Sequence, residues 1–201
     1  MNKERFMNMT DILNHGLGSQ NKLSDLNKLV TARINAADYS HVHRLFEELL
    51  SIAGETDIKQ MAQKEERLDG LCSDLSGIKI DLLKETELLR SLRFTNDCYI
   101  DELQKDIKEA EAYLNPEISG TVPNGSPWTE ALKKRIRELM LTKSVGISFS
   151  EQIMLAESNL RSLCERINDV LINLIPLLRG RISTEHSRLL IPEIRNMISG
   201  I

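Results

Sequence analysis

Apolar residues recur along most of the chain at spacings of three and four, the pattern of helices with one buried face. The pattern is weak at the start, where Gly16, Gly18 and Ser19 predict a flexible leader over residues 1–20. Two short apolar stretches within residues 21–56 predict two short helices. We therefore expect small N-terminal helices before the main body of the chain.

Between residue 57 and about residue 114 there is no proline, and apolar residues repeat every seven positions. One heptad position is held by Met61, Leu68, Leu75, Leu82, Leu89, Leu103 and Ala110, with Asn96 as its interruption. Such a repeat predicts one long helix with a coiled-coil seam. Asn96, as a polar residue at a core position, is predicted to fix the register or the choice of partner.

A second long segment follows, and Ser126 and Pro127 predict its start as a hydroxyl cap and a first-turn proline. Gly146, with Ser148 and Glu151 in the spacing of a capping box, predicts an interruption in this segment. Beyond it the apolar positions alternate three and four apart. They are Ile153, Ala156, Leu160, Leu163, Ile167, Val170, Leu174 and Leu177.

The two segments have nearly equal lengths, and the prolines and glycines of residues 115–126 predict a short loop between them. Residues 57–181 are therefore predicted to form an elongated antiparallel coiled-coil hairpin in an all-α protein. Residues 57–114 carry nine Lys and Arg against fourteen Asp and Glu, whereas residues 127–181 carry nine against six, so opposite net charges favour the pairing. Residues 182–201 are predicted to be a tail with one short helix.

Composition narrows the function classes. The 201 residues are 41% hydrophobic and 4% aromatic with a net charge of -4, which argues against nucleic-acid binding. No apolar run reaches the length of a membrane span, although peripheral membrane association stays open. Cys72, Cys98 and Cys164 form no Cys-x-x-Cys pair, and their odd number predicts reduced thiols in the cytoplasm.

The chemistry-bearing residues are sparse, and the sequence predicts no catalytic, cofactor-binding or metal-ligating residue. His41 and His43 are two residues apart, which on a helix points their rings about 200° apart, so they cannot share a metal ion. The basic residues Lys133, Lys134, Arg135 and Arg137 form the one concentrated cluster of positive charge. We favour the solvent-exposed face of a helix for this cluster, with anion binding as the alternative.

Two positions of the second long segment, Leu141 and Ser144, precede a longer set of positions whose spacing has no gaps from Gln152 onward. This set is Gln152, Ile153, Leu155, Asn159, Glu165, Arg166, Ile167, Ile175, Pro176 and Leu177. This pattern resembles the TelA-like toxic anion resistance family, which is named for a link to tellurite resistance. The family carries Gln-Ile-Arg-Leu-Ile-Gln-Asn-Asn, Glu-Lys-Ile-Gln and Ile-Pro-Leu-Trp stretches. Met154, Glu157 and Leu178 replace the family's Arg, Gln and Trp, and typical members are longer, so we expect a short or divergent member.

The resemblance implies a cytoplasmic helical protein of a bacterial toxic-anion (tellurite) resistance or envelope-stress system, with no catalytic activity to transfer. We predict a non-enzymatic protein that binds protein partners or itself through helix faces. Its predicted interaction or packing residues are Leu160, Leu163, Ile167, Asn96 and Pro176. Two alternatives remain, which are oxyanion sequestration or reduction by the three cysteines and a purely structural scaffold.

Overall fold

The computed structural model describes residues 9–54, 61–115, 126–181 and 191–198. Regular structure in these ranges is helical, without a strand. The helices are α1 (Met9–Asn14), α2 (Leu17–Ala36), α3 (Ser40–Gly54), α4 (Met61–Tyr113), α5 (Pro127–Asp169), α6 (Ile175–Arg181) and α7 (Ile191–Ile198), and a π-helical turn (Val170–Leu174) joins α5 to α6. Most of the predicted loop at 115–126 lies outside the described residues.

Helices α4 and α5 run antiparallel. Asp97 accepts a hydrogen bond of 2.6 Å from Ser150 Oγ. Gln104, further along α4, accepts one from Lys143, which lies earlier in α5. The start of α5 is the one that the sequence predicts, because Ser126 Oγ accepts the Thr129 amide at 3.2 Å. The all-α helical hairpin is confirmed.

The predicted apolar seam of α4 lies in the protein interior. Its leucines and alanine are each at most 8% exposed, and these are Leu68, Leu75, Leu82, Leu89, Leu103 and Ala110. Asn96 interrupts the apolar series but is also fully buried, at 0% exposure. The side chain of Met61 lies outside the described residues. Burial of this seam supplies the main stabilisation of α4, at about 25 cal/mol for each Å² of apolar surface removed from water.

The chain divides into two compact units, and α4 and α5 contribute to both. Unit 1 comprises Met1–Asn35 and Leu89–Leu155, and unit 2 comprises Ala36–Leu88 and Ala156–Ile201. The core of unit 1 consists of Ile12, Leu23, Leu103, Ile107, Ala110, Leu132, Ile136 and Leu139. Each unit combines stretches from distant parts of the chain, because a hairpin brings such stretches together.

In unit 2 the short helix α3 buries one face and packs against α7. The buried side chains of α3 are Val42, Leu45, Phe46, Leu49, Ile52 and Ala53. Helix α7 matches the short helix expected in the C-terminal tail, and residues 182–190 lie outside the described ranges. The tail helix thus has a defined neighbour within its own unit.

The predicted flexible leader differs from the structure. Residues 1–8 lie outside the described part, but α1 begins at Met9 and α2 at Leu17. Ile12 anchors α1 in the core of unit 1 with 0% of its surface exposed. Gly16 does mark a turn, since it adopts a φ of +66° between the two helices. The sequence prediction therefore missed α1, whereas α2 corresponds to the first of the two predicted short helices.

Gly146 does not interrupt α5, contrary to the prediction. Its function in the fold is a close approach, because a Cβ at this position would lie 2.8 Å from Leu23 Cδ2 and 3.1 Å from Ile100 Cγ1. The residue therefore allows α2 and α4 to pack tightly against α5. Glycine has a lower helix propensity than alanine, so the close contact comes with a less stable helix at this position.

A π-helical turn precedes Pro176 and changes the seam of the last helices. The Ile175 amide donates to the Val170 carbonyl, five residues earlier. A proline ring clashes with the carbonyl four residues before it in a regular helix, so the wider turn accommodates Pro176. The extra residue also shifts the apolar face, and Leu178 is buried whereas Leu177 is 43% exposed. The seam prediction was wrong at Leu177.

Candidate functional site

The predicted basic cluster does not lie on one face. Lys133, Lys134 and Arg137 are exposed, but Arg135 is buried. Lys133 pairs with Glu130 at 3.3 Å, and Arg137 Nε donates to the Lys133 carbonyl at 3.3 Å. Three of the four basic side chains therefore lie on the surface, whereas the fourth, Arg135, makes contacts inside unit 1.

Arg135 holds the turn between α1 and α2 against α5. Its Nε donates to the His15 carbonyl at 2.9 Å, and its Nη2 donates to Gln20 Oε1 at 2.9 Å. Its Nη1 donates to Glu138 Oε2 at 3.1 Å, which compensates the buried positive charge. This arginine is thus part of the fold of unit 1, and it has its donors already engaged.

The same turn contacts α4 through His15 and Ser19. His15 Nε2 lies 2.6 Å from the Asp106 carbonyl oxygen, and Ser19 Oγ donates to Asp106 Oδ2 at 2.7 Å. His15, Asp106 and Glu109 each offer one ligand atom, and these atoms lie within 4.8 Å of one another. Among the described residues this is the one group of three or more histidine, cysteine or acidic side chains with such a geometry.

No motif in the sequence predicts this cluster, since His15 has no close partner along the chain. The only local hint is that Asp106 and Glu109, three residues apart, share one face of α4. His41 and His43, by contrast, contact different neighbours. Arg44 lies 2.5 Å from His41 Nδ1, and Glu47 lies 3.7 Å from His43 Nε2.

Asn96 makes a polar contact inside the core of unit 1. Its Nδ2 donates to the Gly146 carbonyl at 3.0 Å. Its Oδ1 is buried and accepts no hydrogen bond. The contact joins α4 to α5 at the position where Gly146 admits close packing. Its role in fixing register or partner choice stays a prediction.

The other predicted interaction residues lie in unit 2. Leu160, Leu163 and Ile167 are 3%, 8% and 0% exposed, so they pack inside the unit and offer little surface to a partner. Pro176 is exposed at the start of α6. A protein that binds this chain would therefore contact other apolar residues, and several are exposed on α5.

An apolar groove lies between α2 and α5 in unit 1, with a volume of about 730 Å³. Leu141 and Val145, one helical turn apart, border it with 68% and 59% of their surfaces exposed. Asn27 Oδ1 is buried at this groove without a hydrogen-bond partner. The full lining is Gln20, Leu23, Ser24, Asn27, Lys28, Thr31, Ala32, Asn35, Leu141, Thr142 and Val145.

The lining of the groove suits the apolar face of a helix more than a charged ligand. Lys28 is the only charged residue in the lining, and Asp25 pairs with it at 3.1 Å. The remaining polar groups are neutral amides and hydroxyls around an apolar floor and wall. Grooves of this kind bind amphipathic helices, whose apolar residues fill the concavity. No pattern along the chain predicts this groove.

The three cysteines are free thiols in three different environments. Cys98 is exposed, Cys72 is half-buried and Cys164 is buried. Burial raises the pKa of the Cys164 thiol. Arg179 Nη2 lies 3.9 Å from Cys72 Sγ and also contacts Asp69. A guanidinium group beside a thiol is an arrangement that could attract an oxyanion.

Within the described residues, no helix combines the length and the apolar character that crossing a membrane requires. The scan against protein-family models found no match. No solved structure matches the chain.

Curated relatives do match. TelA-like proteins from two strains of Staphylococcus epidermidis are each 23% identical over 169 residues, which is 75% of this chain and 45% of each relative. A TelA-like protein of Staphylococcus saprophyticus is 22% identical over 193 residues, which is 87% of this chain and 51% of the relative. The chain spans about half the length of these relatives. The resemblance seen in the sequence is confirmed, and the chain is a distant relative of the TelA-like proteins.

Proposed function

We propose that this chain is a non-enzymatic interaction protein of a toxic-anion (tellurite) resistance or envelope-stress system. The TelA-like relatives support the tellurite-resistance context. The chain matches only about half the length of each relative, so the activity of those whole proteins is not transferred to it. A cytoplasmic location is part of the proposal, and it is supported by three cysteines that are all free.

The observation that carries the proposal is the groove between α2 and α5. Exposed apolar residues on a helix lose contact with water when a partner covers them, and this provides the driving force for association. Leu141 and Val145 are exposed enough to contribute in this way, at 68% and 59%. We propose that the groove receives an apolar helix face of a partner protein, or of a second copy of this chain.

The test is a cross-linking pull-down from the native host with Leu141→Glu and Val145→Glu variants. Both side chains are exposed, so the substitutions should leave the fold intact while placing a charge in an apolar groove. The matched control is Leu83→Glu, since Leu83 is an exposed leucine of unit 2 that does not line the groove. We expect one partner to be recovered by wild type and control and lost from the groove variants, together with tellurite tolerance. Equal recovery and tolerance in all variants would contradict the proposal.

Light scattering of the purified chain distinguishes self-association from binding to another protein. A dimer that Leu141→Glu converts to monomer would identify a second copy as the occupant. A monomeric wild type that still recovers the groove-dependent partner would identify another protein.

A second candidate is thiol-based binding or reduction of oxyanions, which the contact between Arg179 and Cys72 favours. This candidate predicts that replacing Cys72, Cys98 and Cys164 with serine abolishes tellurite tolerance. It also predicts that Cys72→Ser alone has a larger effect than Cys164→Ser, because Cys164 is buried. Full tolerance in the triple variant would exclude thiol chemistry. If neither the groove nor the thiol variants lower tolerance, a structural scaffold is the remaining interpretation.

A further inference from the structure

We propose that His15, Asp106 and Glu109 form a binding site for a divalent transition-metal ion, with zinc as the best match. The three ligand atoms lie within 4.8 Å of one another. They come from two parts of the chain that are 91 residues apart, since His15 lies in the turn between α1 and α2 and the carboxylates lie on α4. The proposal is independent of the function proposed above.

The backbone on both sides of the site is fixed. Asp106 and Glu109 are three residues apart on α4, so their carboxylates project from one helix face. On the other side, Gly16 shapes the turn with a φ of +66°, and Arg135 holds the His15 carbonyl at 2.9 Å. The ligands are therefore brought together by the fold before any ion arrives, which lowers the entropic cost of binding.

Hydrogen bonds orient two of the three ligands. A carbonyl oxygen can only accept, so His15 Nε2 donates to the Asp106 carbonyl at 2.6 Å. The Nδ1 atom of the ring then keeps a free lone pair for a metal ion. Ser19 Oγ donates to Asp106 Oδ2 at 2.7 Å, which leaves Oδ1 available. Outer hydrogen bonds of this kind fix ligand orientation in metal sites.

The distances are compatible with zinc after a small side-chain adjustment. Ligand bonds of about 2.0–2.2 Å place tetrahedral ligand atoms roughly 3.3–3.6 Å apart, so separations of at most 4.8 Å need to shorten by no more than about 1.5 Å. Glu109 is exposed, and its side chain is free to rotate toward the other two. A water molecule would complete the four-coordinate geometry, as in other three-ligand zinc sites.

The chemistry of the three ligands also indicates the class of metal ion. One imidazole nitrogen and two carboxylates suit zinc and its neighbours, whereas calcium takes six to eight oxygen ligands and magnesium keeps most of its water. Two carboxylates balance the charge of a divalent cation. The nearby guanidinium of Arg135 is paired with Glu138 at 3.1 Å, so its charge is largely compensated.

The test is zinc binding to the untagged full chain after treatment with a chelator, measured by calorimetry and by competition with a zinc-sensitive dye. We expect one zinc ion per chain, and at least about tenfold weaker binding in Glu109→Gln and in His15→Asn. The matched control is Glu111→Gln, an exposed glutamate on the same helix, which should bind zinc as the wild type does. Zinc binding should also persist when all three cysteines are replaced by serine.

His15→Asn could loosen the turn, but Glu109 is exposed and its substitution tests the site without that risk. Absence of zinc binding by the wild type would overturn the proposal. So would unchanged affinity in Glu109→Gln, loss of binding in the cysteine variant, or tighter binding of magnesium or calcium than of zinc.

Discussion

Asn96 on α4 donates a hydrogen bond of 3.0 Å to the backbone carbonyl of Gly146 on α5. The carbonyl oxygen of a residue within a helix normally accepts from the amide four residues later, and Asn96 adds a second donor from another helix. The contact lies in the core of unit 1, where Asn96 is 0% exposed. It couples a polar residue at a heptad core position to a glycine that permits close packing.

We expect Asn96→Leu to leave the free energy of unfolding unchanged or to raise it by about 1 kcal/mol. Leucine has the same number and branching of side-chain heavy atoms as asparagine, and the substitution removes the buried Oδ1, which has no hydrogen-bond partner. Asn96→Asp should lower the free energy of unfolding by about 2 kcal/mol or more, because it buries a carboxylate next to a carbonyl oxygen. Urea denaturation measures both, and a loss of stability in Asn96→Leu comparable to that in Asn96→Asp would contradict this account.

Asn96→Leu should also test the predicted role in register. If the asparagine selects one arrangement of the helices, the leucine variant should show a mixture of oligomeric states or doubled resonances in NMR spectra. A single sharp set of resonances and an unchanged mass would show that Asn96 has no such role.

We expect Gly146→Ala to destabilise the protein by about 1–2 kcal/mol. Alanine raises helix propensity by about 1 kcal/mol, but its Cβ would lie 2.8 Å from Leu23 Cδ2, so the packing must shift. Gly18→Ala is the control, because no atom lies within 4 Å of a Cβ there, and it should stabilise by about 0.4–1 kcal/mol. Opposite signs for the two substitutions in thermal or urea unfolding are the predicted result, and stabilisation by both would show that Gly146 is not a packing residue.

We expect substitution of Arg135 to affect the free energy of unfolding far more than substitution of the exposed residues of the basic cluster. Arg135→Ala should lower the free energy of unfolding by about 2–3 kcal/mol, since it leaves the His15 carbonyl and the Gln20 side chain without their donor. Lys134→Ala and Arg137→Ala lie on the surface and should each change it by no more than about 0.5 kcal/mol. Chemical denaturation checks this, and equal effects at all three positions would contradict the assigned role of Arg135.

A pH dependence is expected from Asp38 at the start of α3. Its carboxylate accepts the Ser40 amide at 2.9 Å and the Ser40 hydroxyl at 3.0 Å, and these hydrogen bonds, the amide first, hold the pKa of Asp38 below its ordinary value. The folded-state pKa is thus lower than the unfolded one. The stabilisation is therefore present above the unfolded pKa and is lost as the pH falls through the folded pKa.

Two measurements check this expectation. An NMR titration should give Asp38 a midpoint below that of an unstructured aspartate, and Asp38→Ala should reduce stability at pH 7, with an effect that shrinks as the pH falls through that midpoint. Asp38→Asn retains an acceptor without a charge and should fall between the two. An ordinary titration midpoint for Asp38 would contradict the proposed cap.

The parts of the fold that could be predicted are those set by local chemistry and period. The leucine heptads gave the two long helices because burial of one face requires that spacing, and Ser126 with Pro127 gave the start of α5 because a cap acts within one turn. The start of α3 is also set by a local contact, because the amide of Ser40 donates to the carboxylate of Asp38 two residues earlier.

The parts that could not be predicted depend on contacts between distant residues. Arg135 lies three residues after Leu132 and four before Leu139, on the apolar side of α5, but its partners on the α1–α2 turn are more than 100 residues away in the sequence. His15 likewise meets Asp106 and Glu109 only after the chain folds. Gly146 looked like a helix interruption because its partners, Leu23 and Ile100, are far away in the sequence.

The π-helical turn lets α6 continue the inward face of the end of α5 although the chain has one extra residue there. In a regular helix of the same number of residues every later side chain would be rotated by about 100°, so that Leu177 rather than Leu178 would face inward. Deleting one residue from 170–174 would remove the extra residue together with the wide turn, and the later side chains would keep their present orientation. Related sequences that are one residue shorter at this point can therefore present the same surface to their surroundings.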